Sequence, residues 1–115
     1  MKDVLRKINK IYGVRGVILV GADGLPIASD LAEGEDESTL GAVASSVASA
    51  LSGTLQRLAQ GQLTRFVMNG SGGSVVLLPV ASALLLTLVR KDANMGMILI
   101  ELDEKATELA ALFSS

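Results

Sequence analysis

The sequence predicts an α/β fold of the α+β kind: an α/β/α sandwich built on a five-stranded antiparallel sheet. The elements run helix, strand, strand, helix, strand, strand, strand, helix. Three observations predict it. Residues 17–20, 75–78 and 84–88 are apolar at nearly every position, whereas a strand with one wet face alternates. The turns between neighbouring strands are too short for a crossover, so those strands are antiparallel. Three segments with helical apolar spacing are available to cover both faces of the sheet.

Residues 2–12 read as a helix with Val4, Leu5, Ile8 and Ile11 on one stripe and Lys2, Arg6, Lys7 and Lys10 on the other side. Gly13 ends it. The basic cluster reads as a solvated face, with a weak contact to anionic lipid or an acidic partner as the alternative. Tyr12 reads as a packing residue at the helix end. Residues 16–20 are dense in β-branched side chains and form a strand. The Asp23-Gly24 pair signals a hairpin, and residues 25–29 return as a second strand. Pro26 lacks an amide hydrogen, so this strand is expected at a sheet edge, or Pro26 at its start.

An acidic loop over residues 31–37 leads to the middle helix, expected over 38–60. Asp36 or Ser38 is the expected N-cap and Gly61 the expected C′ residue. Residues 62–69 read as a third strand. A Gly/Ser turn follows, then a hairpin of 75–80 and 83–90 through Ala81-Ser82. The last helix, 95–113, turns Ile98, Leu102, Ala106, Leu109 and Phe113 inward. Its outer side carries Glu101, Glu104, Lys105 and Glu108. No linker divides the chain, and one domain is expected over residues 1–115.

Composition narrows the function. The formal net charge is -2, which argues against nucleic acid as a partner, because that binding rests on Lys and Arg against phosphates. There is no Cys and no His. That removes disulfides, thiolate metal sites and the commonest general base near neutral pH. Residues 66–89 carry no charge, but the glycines of 70–73 and Pro79 interrupt them, so two buried strands are expected rather than a membrane span. No glycine is followed by lysine, so the phosphate loop of a GTPase is missing. No signal-peptide pattern opens the chain, and a cytoplasmic protein is expected.

The middle helix is the informative element. Leu40, Val43, Val47, Leu51, Leu55 and Leu58 form an apolar stripe expected to lie on the sheet. The rest is small: Gly41, Ser45, Ser49 and Gly53 in one row, and Ala42, Ser46, Ala50 and Thr54 in another, with Ala44, Ala48 and Ser52 nearby. Residues 38–56 carry no charge, where a solvent-facing helix would show Glu and Lys. Small rows permit close helix approach with little side-chain entropy to lose. The expected interface is therefore Gly41, Ala42, Ser45, Ser46, Ala48, Ser49, Ser52, Gly53 and Gln56. Arg65 and Val67 join it from the third strand, an edge that would pair with a second copy. A helix buried within the monomer under loops is the competing reading.

The chain resembles the Roadblock/LC7 family, which includes dynein light chains and MglB-like GTPase regulators. The resemblance rests on residues 13–20, on 22–28, on the small-residue helix over 40–58 and on residues 92–97 leading into the last helix. It implies a profilin-like fold and dimerisation through the middle helix and third strand. It also implies a non-enzymatic role, without a cofactor or metal, as regulator or scaffold of a small Ras-like GTPase. A dynein-type light chain and a small-molecule sensor are the alternatives. The resemblance supplies no catalytic residue. Arg15, Arg57 and Arg65 read as ordinary surface or interface arginines rather than arginine fingers.

Overall fold

The computed structural model describes residues 1–114, so Ser115 of the expected domain lies outside the described residues. The elements are α1 (Lys2–Asn9), β1 (Val14–Gly21), β2 (Pro26–Asp30), α2 (Glu37–Arg57), β3 (Phe66–Gly70), β4 (Gly73–Val80), β5 (Ala83–Arg90) and α3 (Met95–Ser114). The five strands form one antiparallel sheet in the order β2-β1-β5-β4-β3. The edges are therefore β2 and β3. Pro26 meets both expectations at once, since it opens a strand that is also an edge.

The pleat divides the core. On the α1–α3 side Val17, Leu19 and Leu85 pack with Leu5, Ile8, Ile98, Leu102 and Leu109, all essentially inaccessible. On the α2 side Ile18, Val20, Leu77, Leu86 and Leu88 pack with Ala44 and Ala48. Each strand residue points to one layer and its neighbour to the other, which is why these segments are apolar at nearly every position, Thr87 apart. A fully buried Leu or Ile contributes roughly 1.5–3 kcal/mol, so the aliphatic interior stabilises the fold without aromatic side chains.

Several boundaries differ from expectation. α1 ends at Asn9, because the chain tightens into successive turns: Ile11 N–H donates to Ile8 C=O at 3.0 Å and Val14 N–H to Ile11 C=O at 3.0 Å. Tyr12 stands on this turn 92% exposed, not packed at the helix end as expected. β3 begins only at Phe66, and residues 62–65 remain in the connecting loop. Phe113, expected inward, is 37% exposed.

Both ends of α2 are built by the backbone and its neighbours. The Asp36 carboxylate accepts from Ser38 N–H at 3.1 Å and from Thr39 Oγ1 at 2.7 Å. The Thr39 hydroxyl first, and the Ser38 amide second, hold this carboxyl below its ordinary titration range. At the far end Gln60 N–H donates to Leu55 C=O at 2.8 Å and Ala59 N–H to Gln56 C=O at 3.1 Å. This is a Schellman closure whose left-handed C′ residue is Ala59, at φ 56°, rather than Gly61.

Only part of the stripe expected on the sheet lies there: Leu40 and Val47 are half-buried against the sheet-side core. The buried residues of α2 are Gly41, Ala44 and Ala48, while Val43 is 42% and Leu58 63% exposed. The reason is distance. A Cβ on Gly41 would lie 2.3 Å from the Gly24 carbonyl oxygen in the β1–β2 turn. The helix backbone sits so near the turn that only glycine fits at position 41, alanine fills positions 44 and 48, and Val43 and Leu58 are left outside.

Candidate protein–protein interface

The residues expected at an interface fall into three groups. Gly41 and Ala48 face the chain's own sheet and are buried there. Ser45 is half-buried, and its hydroxyl donates to Ala22 C=O at 2.9 Å, tying α2 to the β1–β2 turn. These three seat the helix within the monomer. Ala42, Ser46, Ser49 and Gln56 are exposed on the outer side, and Ser52 and Gly53 are half-buried. No heavy atom lies within 4 Å of a Cβ placed on Gly53, so this part of the helix has room for another backbone.

From the loop before β3, Arg65 is exposed and meets Asp103 of α3 at 3.4 Å. That contact is solvated and contributes about 0–1 kcal/mol. Val67 packs into the α1–α3 layer, on the opposite face of the sheet from α2. Its neighbours Phe66 and Met68 take the other phase of the pleat. Together with Val43 and Val47 of α2 and Val75 and Leu77 of β4 they line an apolar gap of about 10 Å³, room for at most one water. Met68 is 45% exposed and Phe66 half-buried.

This apolar seam between the flank of α2 and β3 was not found by sequence reasoning. α2 makes its main backbone approaches to β1, β5 and β2, so toward the β3 edge the sheet is covered thinly. The signal was present in the alternation of Phe66, Val67 and Met68, which places two large apolar residues of an edge strand on one face.

The sequence pattern of the Roadblock/LC7 domain matches residues 1–90. The chain belongs to the Roadblock/LC7 domain family. Two uncharacterised proteins of Methanocaldococcus jannaschii are each 32% identical to it over 110 residues, covering 96% of this chain and 96% of theirs. Among solved structures, Myxococcus xanthus MglB superposes with a TM-score of 0.93 at 18% identity, over 98% of this chain and 94% of that one. A Roadblock/LC7 domain from Streptomyces avermitilis superposes at 0.91 and 13% identity, over 100% and 98%. The sandwich of this Roadblock/LC7 domain is of the profilin-like type. Among the described residues no helix is long and apolar enough to cross a membrane.

Proposed function

We propose that this Roadblock/LC7 domain works as a cytoplasmic homodimer that regulates or scaffolds a small Ras-like GTPase without catalysing a reaction itself. The observation that carries the reading is the pairing of two incomplete surfaces. The outer face of α2 is charge-free and small-sided, and the adjoining edge β3 shows Met68 and the flank of Val43 to solvent. A two-fold axis beside β3, perpendicular to the sheet, would join two sheets edge to edge and bring two α2 helices together on the same side.

The two edges of the sheet differ in a way that supports β3 as the pairing edge. At β2, Pro26 offers no amide hydrogen, and Lys2 Nζ of α1 donates to the Ser29 carbonyl. A lysine and a proline on an edge are devices that prevent strand addition. β3 carries neither along its five residues. In this reading Ala42, Ser46, Ser49, Gly53 and Gln56 form the contact, joined by Val43 and Met68. Gly41, Ser45 and Ala48 hold α2 in place behind them.

Analytical ultracentrifugation tests the dimer. Wild type should sediment as a dimer, and Ser46→Glu and Met68→Glu should shift it toward monomer. Nucleotide-dependent retention of a Ras-like GTPase from the same cell tests the partner. Equal retention in the GDP and GTP states, or a monomer at high concentration, would remove the basis of the assignment.

A further inference from the structure

We propose that the end of the domain around Tyr12 is a docking site for an acidic protein segment, separate from the α2–β3 surface. The domain exposes 92% of its one tyrosine there. The exposure is fixed by the fold. Gly13, at φ +100°, leaves the space that its Cβ would fill to the Ala93 side chain, 2.7 Å from that position. Arg90 N–H donates to Gly13 C=O at 2.7 Å. Tyr12 is therefore held outward on a turn pinned from both sides, and a rigid aromatic of this kind contributes contact area at low entropic cost.

The same pinning gathers cations. Lys10 and Arg15 flank the turn in sequence. The register of β1 on β5, with Val14 opposite Val89, brings Arg90 and Lys91 beside them. Four of the chain's ten Lys and Arg residues thus stand on the segments that form one end of a protein whose net charge is -2. Beside Arg15 lies a slot of about 330 Å³ bordered by Gly72, Gly73 and Ser74 at the β3–β4 turn. Tyr and Arg together are the composition of interface hot spots.

Charge complementarity selects an acidic occupant, and the surrounding carboxylates select its shape. Glu35 sits 2.7 Å from Arg15 in the loop that carries Glu33 and leads to Glu37 at the start of α2, and Asp92 follows Lys91. A flat anionic surface such as a membrane would meet these carboxylates over a wide front. A narrow Glu- or Asp-rich segment can lie along the cations and against Tyr12 while avoiding them.

The test uses a fluorescein-labelled Glu-rich peptide and fluorescence anisotropy with the full chain. The expected result is binding that weakens with salt and falls about tenfold or more in Tyr12→Ala and in Lys10→Glu/Arg90→Glu. Arg57→Glu, a charge reversal at the end of α2, should leave it unchanged. The altered side chains are exposed, and circular dichroism confirms folding. Salt-insensitive or undetectable peptide binding overturns the proposal. So does an equal loss in Arg57→Glu, or binding confined to phosphatidylserine vesicles. The dimer equilibrium should not change in the Tyr12 variant, so failure here and failure of the dimer reading are separable.

Discussion

Replacing Gly41 by alanine tests how α2 is seated. In an isolated helix the change would stabilise by about 1 kcal/mol. Here the new Cβ would lie 2.3 Å from the Gly24 carbonyl oxygen and 3.3 Å from Val20 Cγ1. A carbon must retreat at least about 0.7 Å to reach the 3.0 Å that real Cβ contacts respect. The turn cannot give way freely, because Gly24 N–H donates to Gly21 C=O and Gly21 N–H to Leu25 C=O, both at 2.9 Å. The helix must lift instead, which stretches the Ser45–Ala22 hydrogen bond and loosens Ala44 and Ala48. Overpacking costs about 1–3 kcal/mol and the hydrogen bond about 1 kcal/mol. After the propensity gain, a net loss of about 1–3 kcal/mol remains. For a domain of this size that lowers Tm by roughly 4–12 °C.

Gly53→Ala is the internal control. No neighbour lies within 4 Å of its Cβ position, so at protein concentrations low enough to hold monomer it should stabilise by about 1 kcal/mol. Thermal denaturation followed by circular dichroism, at one low concentration for both variants, measures the pair. If Gly41→Ala melts at or above wild type, the close approach of α2 to the β1–β2 turn is wrong and the explanation of the partly displaced stripe fails with it.

Three further outcomes follow from other parts of the molecule. Ser46→Glu or Met68→Glu puts a charge into the proposed contact, where desolvation losses of a few kcal/mol are typical; sedimentation should show dissociation weakened dimers at least tenfold looser, and an unchanged dimer would move the interface elsewhere. Ala59→Gly relieves a left-handed Ala at the end of α2 and should stabilise by roughly 0.5–1 kcal/mol, read as a higher urea midpoint; no gain would mean that the cap is not formed in solution. Asp36 is held below its ordinary titration range by Thr39 and Ser38, so its contribution is present above the unfolded value and is lost as pH falls through the lower folded value. Asp36→Asn keeps an acceptor for the cap and removes the titration, and acid unfolding profiles should show a shallower decline below about pH 4.

Much of the architecture was legible in the residues. Strands apolar at every position demanded cover on both faces, and the short turns fixed their antiparallel pairing. The hairpin over Ala81-Ser82 needed nothing beyond local chemistry, and the uncharged run over residues 38–56 marked an unusual surface. Less was legible at the site. Periodicity said that Leu40, Val43 and Val47 share a stripe, but not that the backbone of Gly41 would approach Gly24 so closely that Val43 is left exposed while Leu40 and Val47 pack. Likewise the alternation in β3 separated Val67 from Phe66 and Met68 without saying which set faced α2. Tyr12 looked like a packing residue because the helix pattern reached it, whereas the chain turns after Asn9.

By itself the sequence determined which segments become helix or strand, that the sheet is sandwiched, and that the middle helix carries no charge between its ends, because propensity and burial pattern act within a few neighbouring residues. The tertiary structure alone decided that Lys2 covers the β2 edge, which face of α2 is spent on the monomer and which cations share the end that carries Tyr12. Those depend on distances between residues far apart in the chain, such as Gly24 to Gly41 and Gly13 to Ala93, and local patterns carry no information about such distances.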